Sequence, residues 1–370
     1  MINSQQAAGF ALINIFRESG FDARFAGGCV RDDLIGTDPK DIDLCTDATP
    51  AQMIDIAKSH NMKFIPTGLD HGTLTFVVSG EQLEVTTLRI DRETDGRHAT
   101  VEFTTDWKED AARRDLTINA MMENFEGEIF DWFGGQDDLA TSTIKFVGDA
   151  DERIKEDFLR ILRFFRFANK FKRTFNFDPE GLDAISNNLD GLESISAERI
   201  WSEVQKILTG KFAKGVLVEM ETAGVLAALE VPMTNFNIPN TDCPITALAF
   251  NLDTVDDAQA MAEMWKMSND ERKKLVWLVE NKNATVFDAE VAMVNKVDAS
   301  WVRDLGVMTA NSDLQMLAVV FRPPVFPVTG QDMLDMGMTP GPEVGVAMNA
   351  MKDKWNSSRF TMTKDQLMEK

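Results

Sequence analysis

The chain has 370 residues, 44% of them apolar, and a net charge of −22. It is long enough for more than one buried core and too acidic for a general nucleic-acid binder, which is usually basic. Cys29, Cys45 and Cys243 lie far apart without metal-ligand spacing, which argues against a disulfide framework and fits a reducing cytosol.

No apolar run is long enough to span a bilayer, and the first residues show no targeting segment. The expectation is a cytoplasmic protein with no membrane partner. Tyr is absent against 25 Phe, and no function follows from that.

Asn3 to Ser19 has helical spacing, and Arg24 to Ala26 reads as a short strand running into Gly27-Gly28. Asp41 to Leu44 alternates polar and apolar residues, as a strand does. Thr49 and Pro50 then suit the N-cap and first position of a helix over 51–59. Thr73 to Val78 and Gln82 to Arg89 read as strands joined by a Ser79-Gly80 turn. Asp91 to His98 is polar and predicts a loop. A strand over 101–105, a helix over Lys108 to Met122 and a strand over 129–133 follow.

Beyond about Lys145 the strand signals fade. Helices are predicted over 151–172, 178–188, 196–209 and 211–229, and again from about 245 to 319. The segments 233–244 and 322–328, rich in Pro, are joints. The fold class is therefore α+β: a mixed-sheet head followed by an all-α remainder.

Asp41 and Asp43, two apart on a strand, point to one face and suit Mg²⁺, a hard ion that keeps other positions for water and phosphate oxygens. Such spacing arises freely in a chain with 60 acidic residues. The upstream context gives it weight: Gly27-Gly28 lets backbone amides approach an anion, and Arg31 adds a forked donor for phosphate. Glu84, on a later strand, is either a third carboxylate that helps deprotonate an attacking hydroxyl or a solvent-facing residue. In RRDLTINA (113–120), Asp115 and Asn119 are four apart and share a helix face. From Lys145 to Arg173 nine basic residues stand against five acidic ones, so any RNA should bind near this segment and weakly at high salt.

These strings, in this order, resemble the class II tRNA nucleotidyltransferases, the CCA-adding enzymes, within the poly(A) polymerase/tRNA nucleotidyltransferase family of the DNA polymerase β-like superfamily. The similarity is carried by GGCVRD, DIDLCTDATP, HGTLTF, RRDLTINAM, FDWFGGQDDL, EDFLRILRFFRF and ERIWSEVQKIL, and extends to FPVTGQDMLDMGM and GPEVG in the tail. It fits mitochondrial-type and related bacterial members.

The resemblance implies template-independent addition of CCA to the 3′ end of a tRNA with a missing or incomplete CCA end. CTP and ATP are the substrates, pyrophosphate is the product and Mg²⁺ the cofactor; no DNA partner is expected. It makes Asp41 and Asp43 the metal ligands and brings Gly28 and Arg31 to the nucleotide. Arg114 and Asp115 fall at the sugar, and Asn119 belongs to the same nucleotide-binding set. Asp157 and Arg160 become base readers, and Arg163 and Arg166 line the nucleotide pocket.

The reader chemistry is consistent with this assignment. A carboxylate only accepts hydrogen bonds and a guanidinium only donates, which matches the amino-beside-acceptor edges of cytosine and adenine and opposes uracil and guanine. Leu159, Ile161, Leu162, Phe164, Phe165 and Phe167 are expected in the core.

The RETDGR segment (92–97) falls where the family has a flexible loop needed for the final A. The Thr339-Pro-Gly-Pro start of a tail helix is either a phosphate contact or a simple helix start. No His-Asp pair occurs, so the HD phosphohydrolase domain of some relatives is not expected. The expected division is head 1–145, neck 146–210, body 211–320 and tRNA-binding tail 321–370. Two alternatives are a bacterial-type poly(A) polymerase and a non-catalytic RNA-binding relative.

Overall fold

In the computed structural model, which describes residues 3–94, 99–231 and 235–369, one mixed sheet organises the front of the chain. The strands in chain order are β1 (Ala23–Ala26), β2 (Asp43–Thr46), β3 (Lys63–Gly68), β4 (Thr73–Val78), β5 (Glu81–Thr87), β6 (Arg89–Thr94), β7 (Ala99–Phe103), β8 (Met122–Glu123) and β9 (Ile129–Phe130). Seven of them form the order β3-β4-β5-β2-β1-β8-β9, while β6 and β7 pair as a separate hairpin. The β2–β5 pair is parallel; its neighbours are antiparallel.

Helices α1 (Ser4–Glu18), α2 (Gly28–Leu34), α3 (Pro50–Ser59), α4 (Trp107–Ala112) and α5 (Gly135–Thr141) complete this part. Capping boxes at Asn3/Gln6 and Thr49/Gln52 start α1 and α3, each satisfying two orphan donors. Both helices pack on one sheet face, where Leu12, Phe16 and Met53 meet Leu44, Leu74, Phe76, Leu83 and Val85. Each such side chain contributes roughly 1.5–3 kcal/mol by leaving water. The Ser79-Gly80 turn has both residues at positive φ (52° and 89°), the geometry that matches the twist of a two-residue hairpin.

Three expectations are corrected. The segment from Asp91 is not a loop throughout, because β6 continues to Thr94 and pairs with β7; residues 95–98, which include the last three of the RETDGR segment, lie outside the described residues. The helix expected over 108–122 stops at Ala112. Leu116 is extended and bridges Phe146, with Thr117 N–H donating to the Lys145 carbonyl (3.0 Å) and Val147 N–H to that of Asp115 (3.1 Å). Long-range backbone pairing there outweighs helical propensity.

The helix expected over 151–172 is also broken. It comprises α6 (Ala150–Glu156) and α7 (Leu159–Phe167), separated by Asp157 at φ −157°, ψ 104°. The Asp157 carboxylate accepts the Leu159 amide (3.1 Å), a local bond of the kind that competes with helix.

A short parallel pair, β10 (Thr143–Ile144) with β11 (Asn176–Phe177), was not expected. Helices α8 (Pro179–Ser186), α9 (Ala197–Leu208), α10 (Ala213–Thr222) and α11 (Val225–Ala228) follow. Gly224 at φ +80° divides the last two.

The chain folds into two units, Met1–Asn237 with Met264–Lys266, and Ile238–Glu263 with Met267–Lys370. From Pro244 to Met368 every regular element described is a helix. Trp355 anchors a small core there with Val328, Met333 and Leu367. No described helix is long and apolar enough to cross a membrane.

Candidate active site

Alternation on the β2 segment sorts its side chains. Ile42 and Leu44 enter the core, while Asp41 and Asp43 stand exposed on the other side. Asp41 lies just before the strand rather than within it, since β2 begins at Asp43. The parallel register sets Asp43 beside Glu84. Burial, then Glu84, hold the Asp43 carboxyl above its ordinary value; Arg114 opposes this and Asp41 adds to it. Crowded, partly desolvated carboxylates of this kind are relieved by a cation. Hard oxygen donors suit Mg²⁺, which is commonly held by one or two carboxylates. Among the described residues no three His, Cys, Asp or Glu side chains converge into a closed metal cage.

Asp41 and Asp43 open onto a cleft of about 600 Å³. Gly27, Gly28, Arg31, Arg113, Arg114, Asp115, Asn119, Asp157, Arg160, Arg163, Arg166, Phe167 and Lys170 complete its described lining. The structure thus gathers every candidate residue except Glu84, which sits on the neighbouring strand without lining the cleft. Gly27 precedes α2 at φ +75°. A Cβ there would lie 2.5 Å from the Arg114 guanidinium and 3.3 Å from the Asn119 carbonyl. Gly27→Ala is therefore expected to displace Arg114 and to cost about 1–3 kcal/mol of stability from backbone strain. A lowered melting temperature with a raised KM for nucleotide checks it; unchanged values for both would show that the cleft tolerates the methyl group.

The polar groups hold one another. Arg31 is buried, donates to Asp32 (2.8 and 2.6 Å) and to the Asn119 side-chain oxygen. Asn119 donates in turn to Asp115 (3.0 Å). Asp115 also accepts from the Leu116 amide (2.9 Å) and from Arg163 Nε (2.7 Å). Burial would raise the Asp115 carboxyl, but Arg163 and these hydrogen bonds outweigh it and hold it below its ordinary value. Asp115 and Asn119 therefore meet as expected, though on a turn rather than a helix.

Arg114 donates to the buried Asp110 (3.2 Å) and to the Asn119 carbonyl (3.4 Å). Asp157 pairs with Arg199 (2.8 Å). Arg160 is fixed by Glu156 (2.6 Å) and by the carbonyls of Arg153 (3.0 Å) and Arg113 (3.1 Å). Arg166 pairs with Glu203.

Sequence reasoning missed Arg113, Lys170 and the cleft role of Phe167. Arg113 is the first half of the Arg-Arg pair, and Lys170 follows Arg166 by four residues, so both had a signal. Phe167 is 5% exposed, as a core residue should be, yet the Arg31, Arg163 and Arg166 guanidiniums lie 5.1, 5.3 and 4.2 Å from its ring centroid. It is a buried wall that guanidiniums stack against.

Residues 23–145 match the poly A polymerase head domain, and residues 174–234 the probable RNA and SrmB-binding site of polymerase A. Over 97% of its length the chain is 37% identical to CCA tRNA nucleotidyltransferase 1, mitochondrial, of Mus musculus, of which it covers 88%. This chain belongs to the class II CCA-adding tRNA nucleotidyltransferases.

The CCA-adding enzyme of Bacillus cytotoxicus is 31% identical over 96% of each chain. The crystal structure of the Bacillus stearothermophilus CCA-adding enzyme in complex with CTP superposes with a TM-score of 0.80 at 26% identity, covering 96% of this chain and 94% of that one. Within the nucleotidyltransferase head match lie Asp41, Asp43, Glu84 and the Arg113–Asn119 turn, while Asp157 to Arg166 fall between the two matched segments.

Proposed function

We propose that this chain completes the 3′ end of tRNA by adding C, C and A without a nucleic-acid template, using CTP and ATP and releasing pyrophosphate. The observation that supports this reading is a single cleft that combines two aspartates at the start of β2, a set of fixed arginines and an Asp157–Arg160 reader.

Asp41 and Asp43 would hold divalent cations, with Mg²⁺ the ion that best suits their oxygen donors. Such ions lower the pKa of the attacking hydroxyl and neutralise charge on the triphosphate. Arg31, already oriented by Asp32 and Asn119, binds phosphate oxygens beside Gly28 at little cost in side-chain entropy, and Arg114, held by Asp110, lies at the sugar. Asp115 and Asn119 offer acceptor and donor groups to the ribose 2′-hydroxyl. Asp157 and Arg160 meet the base edge, and Arg163 and Arg166 form the pocket wall with Phe167. Glu84, next to Asp43, supports the carboxylate cluster from the adjoining strand.

We divide the chain into a catalytic head (1–145), a base-reading neck (146–210), a helical body (211–320) and a tRNA-gripping tail (321–370). The head boundary is supported by the family match ending at residue 145. All three cysteines are unpaired, which supports a reducing, cytosol-like compartment.

The test supplies a tRNA ending at the discriminator base with each NTP alone and then with CTP and ATP together, and sequences the product ends. Addition of C, C and A is the expected result. A long A tail would instead support a poly(A) polymerase, and no incorporation a silent RNA-binding relative. Chelation by EDTA is expected to reduce incorporation to background, and excess Mg²⁺ to restore it. Undiminished incorporation in EDTA would remove the metal from the reading.

A further inference from the structure

Asp110 on α4 is fully buried and has so far entered only as a support of Arg114, yet each of its two oxygens holds a different arginine of the cleft. Oδ1 accepts Arg113 Nε at 2.8 Å and the backbone amide of Arg89 at 3.3 Å. Oδ2 accepts Arg114 Nη2 at 3.2 Å and faces the Cys45 thiol at 3.8 Å. Each oxygen therefore joins one cleft arginine to one strand. Arg89 opens β6, the first strand of the hairpin, and Cys45 lies on β2, two residues beyond Asp43.

A carboxylate with its two oxygens in fixed directions can hold two guanidiniums in a set relation. A buried carboxylate serving two partly exposed arginines (side chains 17% and 18% exposed) immobilises them from behind, and both arginines line the cleft. Burial alone would raise the Asp110 carboxyl, but Arg113 and Arg114 outweigh it and keep it below its ordinary value.

From these contacts we infer that Asp110 is a positioning residue for nucleotide capture, fixing Arg113 and Arg114 at the cleft wall in register with the strand that bears Asp43 and with the base of the β6–β7 hairpin. The inference rests on the reading of the cleft as the nucleotide site. Asp110 touches no reacting atom; it acts through the two arginines. Asparagine in its place keeps the volume but offers one acceptor oxygen instead of two and no charge. The arginines then lose their common anchor. The base reader, Asp157 with Arg160, is untouched.

The test is steady-state kinetics on the full chain, with CTP on a tRNA ending at the discriminator base and ATP on a tRNA ending in CC. For Asp110→Asn the KM for CTP and for ATP is each expected to rise about tenfold, the loss of one charge-assisted contact, with a smaller change in kcat and the same preference for C and A. A merely structural role would lower the folded, active fraction and so kcat, leaving KM unchanged; that result overturns the assignment.

Removing a negative charge beside two arginines can itself unfold the chain, so a second comparison sets Arg113→Gln against Arg113→Gln with Asp110→Asn, in which the charges balance again. A further several-fold rise in KM in the double variant supports the anchor, through Arg114. Equal KM values overturn it. A wild-type chain that adds no nucleotide at all sinks the reading of the cleft, and this inference with it, and is distinguishable because no variant is needed to see it.

Discussion

Replacing Asp43 by Asn is expected to lower kcat for CTP incorporation by on the order of 10³-fold or more, the scale of losing several kcal/mol of charge stabilisation in the transition state. Asn keeps the shape of the side chain but withdraws the charge that would hold a cation. The same substitution is expected to leave the melting temperature unchanged or raise it. Asp43 is crowded by Glu84 and Asp41 and partly withdrawn from water, and burial with these neighbours holds its carboxyl above the ordinary value. The ionised form is therefore a strain on the folded state, and neutralising it relieves like-charge repulsion. A residue kept at a cost to stability is one whose role lies in chemistry. Turnover within about tenfold of wild type in a folded Asp43→Asn chain would take Asp43 out of the reaction.

The second large effect is on base choice. Asp157→Ala is expected to reduce discrimination against UTP and GTP by roughly 10- to 100-fold, the equivalent of unpairing one buried polar group, while kcat for CTP falls less. The acceptor that matches the amino group of C and A disappears, whereas Arg160 keeps Glu156 and two backbone carbonyls as supports. Asp157 also accepts the Leu159 amide at the start of α7, so a stability loss of about 1 kcal/mol is expected alongside, as for other caps. Incorporation of each NTP in single-turnover experiments separates the two effects. Full rejection of U and G by the folded variant would end the idea that this side chain reads the base.

Much of the cleft was legible because its residues are clustered in short strings with a strong local logic. Alternation sends Ile42 and Leu44 inward and so exposes Asp41 and Asp43. Thr49-Pro50 starts a helix as expected. Two strings were misread, one because distant parts of the chain claim its backbone and one because of a local side-chain bond. RRDLTINA has helical spacing, but its backbone is claimed by Lys145 to Val147.

The Asp157 break has a local cause, yet its ion pair with Arg199 comes from 42 residues away. The Asp115–Arg163 and Arg166–Glu203 pairs likewise join segments that spacing cannot connect. Strand β3 contains Pro66, which argues against a strand in general; it is tolerated because β3 is at the sheet edge, where the ladder shifts register between Ile65 and Gly68. Phe167 satisfied the core expectation and still formed part of the cleft, since one ring has two faces.

The alternation at Asp41–Leu44 also couples two properties that are often treated apart. The ribbon carrying the two acids is clamped on its reverse side by the hydrophobic interior, so their spacing inherits its rigidity from residues that never meet a nucleotide. A loosened fit beneath them, such as a methylene trimmed from Ile42 or Leu44, would reach the wet side as a misplaced oxygen. Drift in the oily interior of this molecule is therefore constrained by turnover as well as by thermal tolerance.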